Sequence, residues 1–243
     1  MKVYVQKNES NNCANINFAV ALDGFDKMGW EIVTFHSLDQ LSGITKEDLF
    51  VGYVDETKKI FKTLNVEYED IDCYPPELKP YLGRKIWKDS FLNFAKTNKF
   101  GCFIKPSDKN KLFTGKLING VGDLVSIGYP ENDFEIYCSE PISFISEARC
   151  FVKYGKIIDF RRYKGSWKPN FDIDKVEECI GNYLGNMNGF AIDFGVTKSG
   201  ETILVEVNEG YSLGAYGLFS VDYAKLLSAR WYQLMNLEDP CNY

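Results

Sequence analysis

The segment Phe190–Asn208 carries two runs of β-branched and aromatic residues separated by Lys198–Glu201, with Ser199-Gly200 at the centre. Such a pattern folds as an antiparallel hairpin. A turn symmetrical about Ser199-Gly200 sets Thr197 opposite Thr202, Gly195 opposite Leu204 and Asp193 opposite Glu206. Side chains alternate with a period of two, so Asn208 joins the two carboxylates on one face, with Leu204 two residues before Glu206. Ile192, Phe194, Val196, Ile203, Val205 and Val207 then fill the other face. One face is core, and the other is a polar site. Like charges directly opposite in a ladder repel, and two carboxylates with an amide oxygen form the hard donor set that Mg²⁺ prefers. The pattern therefore predicts a metal held by Asp193, Glu206 and Asn208; the competing reading is a pair of acids facing solvent.

Around this hairpin the chain divides in character. Val3–Gln6, Ala14–Met28, Glu31–Phe35, Leu49–Val54 and Glu56–Asn65 alternate strand-like and helix-like patterns, which predicts a small parallel α/β lobe over residues 1–78. Pro75, Pro76 and Pro80 interrupt it. Residues 79–243 read as α+β, in two subdomains of about 79–140 and 141–243. They hold a short helix at Asp89–Thr97, a strand at Phe100–Lys105 and a hairpin of Phe144–Lys153 with Lys156–Tyr163 about Tyr154-Gly155. Helices are predicted at Ile173–Met187, behind an Asp172 cap, and at Val221–Met235.

The first of these hairpins offers further charge. A symmetrical turn puts Glu147 opposite Arg162, a cross-strand ion pair, and Arg149 opposite Phe160. Arg149 then has no opposite charge in its hairpin, and its fork of donors suits a phosphate or carboxylate. Arg161 falls on the other face in this register, and a slip of one residue exchanges it with Arg162.

Composition removes several classes. With 28 basic and 34 acidic residues the net charge is −6, which disfavours a broad nucleic-acid surface. Seven scattered cysteines without a Cys-x-x-Cys pair predict neither a disulfide framework nor a thiolate zinc site, and so a reducing, cytoplasmic setting. Eighteen apolar residues never run together, and Met1–Val5 is too short for a signal peptide, so no membrane association is expected. His36 is the sole histidine. There is no Walker A lysine motif, and Gly120-Val121-Gly122 lacks the third glycine of a dinucleotide fingerprint and reads as a turn.

Asp193 with Glu206-Val207-Asn208, followed by Gly210, Gly214 and Gly217, resembles the metal-binding end of the ATP-grasp superfamily. Phe103-Ile104-Lys105-Pro106 is similar to that family's phosphate-contacting lysine strand, and Tyr137-Cys138-Ser139-Glu140-Pro141-Ile142 to its adenine hinge. Lys111–Lys116, with Thr114 and Gly115, takes the place of its phosphate loop, although it has fewer small residues than that loop usually has. The chain most resembles the small ligase-like clade named for an arginine and two lysines, which has many phage and bacterial members; Arg84 and Lys85 are candidates for two of these residues. The resemblance spans about residues 80–235 and implies an ATP-grasp fold behind a small parallel α/β lobe. It implies ATP and Mg²⁺ as cofactors, with Lys105, Lys116, Glu140, Ile142, Leu204 and Glu206 around the nucleotide and Lys105, Arg149 and Arg161 at the reacting groups. The activity it implies is a carboxylate–amine ligase acting through an acyl phosphate, with a small-molecule or peptide carboxylate and an amine as substrates. A kinase of the same fold and an inactive nucleotide-binding module are the alternatives.

Overall fold

A computed structural model describes residues 1–97, 99–107, 112–128 and 132–243. The first lobe is a parallel sheet with central β1 (Lys2–Gln6) between β2 (Glu31–Phe35) and β3 (Leu49–Val51); helix α1 (Ile16–Lys27) connects β1 to β2, and helix α2 (Val54–Thr63) follows β3. Asn15 caps α1 by accepting from the Asn17 amide, and the Glu56 carboxylate accepts the Tyr53 amide at the start of α2. The α1 face carrying Phe18, Ala21 and Phe25 is buried.

The second unit is an antiparallel sheet ordered β4 (Ile86–Ser90), β7 (Glu135–Ser139), β5 (Cys102–Pro106), β6 (Lys116–Ile118), with helices α3 (Phe91–Thr97) and α4 (Val121–Val125). Its core is its own: Phe91, Phe94, Ile104, Ile118, Ile136 and Cys138. The third sheet runs β11 (Thr202–Glu209), β10 (Gly189–Thr197), β8 (Phe144–Lys153), β9 (Lys156–Gly165), antiparallel throughout, with α5 (Ile173–Gly181) and α6 (Ser220–Met235). Cys150, Ile192, Phe194, Leu204 and Val207 pack under one face with Val176 and Cys179 of α5. From the opposite face, Phe151 and Ala191 join α6 and the first lobe in one continuous cluster. The first lobe thus shares its core with the third sheet, through apolar burial worth about 25 cal/mol per Å².

Several elements depart from expectation. Helix α5 stops at Gly181, short of Met187, since Gly181, Asn182 and Gly185 disfavour another turn. The Gly120-Val121-Gly122 turn opens α4, with Gly120 as its N-cap. Strands β4, β6 and β7 had no expected counterpart; β4 and β6 are short runs with lysine inside, whose burial comes from neighbours distant in sequence.

The largest differences lie in register. The Tyr154-Gly155 turn forms with both residues at positive φ, but β9 carries two extra residues against β8, Ile158 and Tyr163. Glu147 therefore meets Lys164, not Arg162, and Arg149 lies opposite Arg161, not Phe160. In the second hairpin the strands close one residue tighter than the symmetrical turn, with Val196 opposite Thr202 and Phe194 opposite Leu204. A bulge at Val205 then returns Asp193 to its place opposite Glu206. The two shifts cancel at the carboxylates and exchange the faces of Leu204 and Val205.

None of the seven cysteines is disulfide-bonded. Burial pushes the Cys138, Cys150 and Cys179 thiols up to about 12. At pH 8 these three should resist iodoacetamide in the native protein while the partly exposed Cys13 reacts. Peptide mass spectrometry after timed alkylation checks the order, and equal rates would contradict the packing.

Candidate active site

A cavity of about 820 Å³ is walled by the second unit, the β8, β9 and β11 strands of the third sheet, and Val54 of the first lobe. At one end lie Phe103, Pro106, Thr114, Gly115, Leu117, Ser139, Pro141 and Ile142, a mostly apolar wall interrupted by backbone and hydroxyl groups. In the centre, Lys105 from β5 and Glu206 from β11 meet across the two sheets, Nζ to Oε2 at 2.5 Å. At the far end are Glu147, Arg149, Tyr163, Ser212, Gly214 and Tyr216.

Lys105 is enclosed by aromatic rings. Its ammonium lies 4.4 Å from the Tyr74 ring centroid and 5.7 Å from that of Tyr137, a cation–π box. Burial works against its charge, but the Glu206 carboxylate outweighs burial and holds the amine well above the usual lysine range. The segment before the prolines builds this box. Asp72 accepts from the Tyr137 hydroxyl and the Tyr74 amide, both at 2.8 Å, and the Cys73 carbonyl accepts from the Val207 amide at 3.0 Å. The stretch marked by prolines as a boundary is also a wall of the site, and Cys73 and Tyr74 both line it.

Asp193 is placed differently from expectation. Both its oxygens accept from Arg149, at 2.7 Å from Nε and 2.8 Å from Nη2, and Asn208 Nδ2 donates to Oδ2 at 3.1 Å. Arg149 does have a carboxylate partner, on β10 across the other edge of β8 from its hairpin mate. Nη1 also donates to the Gly214 carbonyl at 3.3 Å, and the Tyr216 ring centroid lies 4.7 Å from the guanidinium. Burial opposes the Arg149 charge, and Asp193 more than offsets it. The repulsion between Asp193 and Glu206 is thus relieved by Arg149 and Lys105, without need of a cation between them. Asp193 is 3% exposed and sits behind the cavity lining, so of the three expected metal donors Glu206 and Asn208 face the cavity.

Of the residues expected around the nucleotide, Lys105, Ile142 and Glu206 line the cavity. The other three point elsewhere, as does Arg161, expected at the reacting groups. Lys116 is held by Asp123 at 3.1 Å and Ser126 at 2.7 Å outside the lining; Gly115 and Leu117 line it instead. Glu140 spends its carboxylate on the Lys85 amide at 2.9 Å. Leu204 is fully buried in the core beneath the sheet, and the bulge gives its place in the lining to Val205. Arg161 is turned onto Asp159 at 2.6 Å on the exposed edge of β9. Lys111 falls outside the described residues. Among the described residues no cluster of three His, Cys, Asp or Glu side chains forms a ready-made metal cage.

Sequence reasoning missed Tyr74, Tyr163, Ser212 and Tyr216 as lining residues. Tyr163 is one of the two bulged residues of β9, stacked on Tyr216 at 4.6 Å with its hydroxyl donating to Glu147. Glu147 also takes Lys164 at 2.6 Å. The Lys164 side chain is 69% exposed, so Lys164→Ala should change the melting temperature little, by at most about 1 kcal/mol of stability in a thermal scan.

The profile of the ATP-grasp domain, R2K clade family 2, matches residues 81–226, more than half of the chain. The chain belongs to this family. Its fold is shared with the D-alanine–D-alanine ligase of Bacillus anthracis, at 13% identity and a TM-score of 0.59, covering 97% of this chain and 98% of that one. It is shared too with the N5-carboxyaminoimidazole synthetase of Staphylococcus aureus, at 11% identity and a TM-score of 0.59, covering 99% and 78%. The D-cycloserine synthetase DcsG gives 9% identity and a TM-score of 0.57 over 96% and 100%. No curated protein matches in sequence. These solved structures show the ATP-grasp fold of the chain. Among the described residues no helix is long and apolar enough to cross a membrane.

Proposed function

We propose that the cavity binds MgATP and that the chain is a carboxylate–amine ligase acting through an acyl phosphate. The meeting of Lys105, Glu206 and Asn208 at the junction of the two sheets carries this reading: a cation, a carboxylate and an amide share one enclosed space. Glu206 and Asn208 fit Mg²⁺, because that ion commonly takes one or two protein oxygens and completes its shell with phosphate oxygens and water. The ion would neutralise charge on the phosphates.

The apolar wall of Phe103, Pro141, Ile142 and Val205 suits an adenine ring, and the Ser139 region offers backbone groups to its edge. Lys105, turned from Glu206 to the phosphates, supplies a positive charge that their negative oxygens would hold against burial as Glu206 does in their absence, and Tyr74 and Tyr137 shield it from water. Arg149 holds Asp193 and the Gly214 carbonyl and so shapes the acceptor end. In the reaction, a substrate carboxylate oxygen bonds to the γ-phosphorus as the bond to the β,γ-bridging oxygen breaks, releasing ADP. The amine nitrogen then bonds to the acyl carbon, inorganic phosphate leaves, and the nitrogen loses a proton to solvent. We take residues 1–78, 79–140 and 141–243 as the working units, and the seven reduced thiols fit a cytoplasmic setting.

Incubation with MgATP, hydroxylamine and a panel of amino acids and short peptides tests this reading, since hydroxylamine captures an acyl phosphate as a hydroxamate. ADP and a hydroxamate are expected. A stable phosphorylated product without hydroxamate would indicate the kinase chemistry, and absence of MgATP binding in calorimetry would overturn the site. Cys73 gives an independent footprint: saturating MgATP should slow its reaction with N-ethylmaleimide and leave Cys13, in the first lobe, unchanged. Unchanged labelling of Cys73 would place the nucleotide elsewhere.

A further inference from the structure

The cavity position of Glu206 depends on one extra residue. Between the pairs Phe194–Leu204 and Asp193–Glu206, β11 contributes Val205 with no counterpart on β10. Were the ladder regular from the turn, Asp193 would lie opposite Val205 and Glu206 opposite Ile192, whose side chain points into the core beneath the sheet. The carboxylate would leave the cavity. A bulge also leaves backbone groups without ladder partners, and buried carbonyls need donors.

Arg84 supplies them. Its Nη1 donates to the Leu204 carbonyl at 2.8 Å and the Leu82 carbonyl at 2.9 Å, and its Nη2 donates to the Val205 carbonyl at 3.0 Å. The guanidinium lies 6.0 Å from the Phe144 ring centroid. The neighbouring Gly83 adopts φ +57°, and a Cβ there would stand 2.5 Å from Ile203 Cδ1, so the chain before Arg84 is pressed against β11 just ahead of the bulge. A planar fork can span two successive carbonyls; a lysine ammonium cannot hold both in the same geometry.

We infer that Arg84 is a positioning residue that keeps Glu206 in the cavity by holding the Val205 bulge. The inference rests on the MgATP reading above for its functional consequence, but its structural content stands apart from it. Arg84 also lines the cavity, so direct contact with the nucleotide is the rival explanation.

Deletion of Val205 separates the two. Without Val205 the ladder is regular, with Leu204 opposite Phe194 and Glu206 opposite Asp193, and no bulge needs holding. Arg84→Lys should weaken MgATP binding about tenfold in the full chain and about twofold or less in the Val205-deleted chain, a coupling measured by calorimetry as a double-mutant cycle. Equal losses in both backgrounds would mean that Arg84 touches the nucleotide, and no loss in either would mean that it does neither; both overturn the inference. Amide exchange in the Arg84→Lys protein provides the second measurement, valid even if the deletion does not fold or the wild type binds no MgATP. Faster exchange at Val205 and Glu206, with the distant β1 unchanged, supports the clamp; unchanged exchange at the bulge overturns it.

Discussion

Arg149→Ala is expected to destabilise the fold by about 3–5 kcal/mol, because it strands the Asp193 carboxylate in a site where it is 3% exposed. For a chain of this length that is a fall in melting temperature of roughly 10 °C. Asn208 would remain as a neutral donor to Asp193, which does not compensate a buried charge. Arg149→Ala combined with Asp193→Asn removes the charge as well as its partner, and should recover more than half of the loss in chemical denaturation. Loss of turnover is expected too, as a consequence of the disturbed third sheet. If the single variant melted like the wild type and lost only turnover, Arg149 would be an anion-binding group, as its hairpin alone suggests, and the pair with Asp193 would contribute little.

That contrast shows where the sequence was readable. The alternation in Phe190–Asn208 located a polar face beside an apolar one, because burial on one side of a sheet leaves a period-two signature. It brought Asp193, Glu206 and Asn208 together correctly. Register could not be carried from a turn, because Val205, Ile158 and Tyr163 are extra residues that resemble ordinary strand residues in sequence. Leu204 and Val205 are both branched apolar residues, and only the bulge decides which of them reaches the cavity. Arg149 was misjudged for a related reason. A central strand has two neighbours, and a hairpin reveals one of them. The second unit was harder still: β4 and β6 are short, and their core of Phe91, Phe94, Ile104, Ile118, Ile136 and Cys138 gathers residues spread over nearly fifty positions. Tyr74 carried no signal beyond its place beside Pro75, and its contact with Lys105 arises from long-range packing.

Lys105 and Glu206 should fail differently when altered, and the difference tests the proposed site most directly. Lys105→Ala removes the cation proposed to face the phosphates, and is expected to lower MgATP turnover about 10²–10³-fold, in line with loss of one transition-state donor. Its cost in stability should be small, since the Glu206 side chain is 29% exposed and water can take over its solvation. Glu206→Gln preserves shape but removes the carboxylate that holds Lys105 charged against burial; the ATP phosphates can take over that counter-charge, so the variant should retain affinity for ATP itself while losing the response to Mg²⁺. In the wild type, ATP should raise the melting temperature when Mg²⁺ is present and much less with EDTA, because ligand stabilisation follows the affinity for the folded state. In Glu206→Gln the two conditions should converge. If the wild type showed equal shifts with Mg²⁺ and with EDTA, Glu206 and Asn208 would not be metal donors, and the Lys105–Glu206 pair would be part of the scaffold that joins the two sheets.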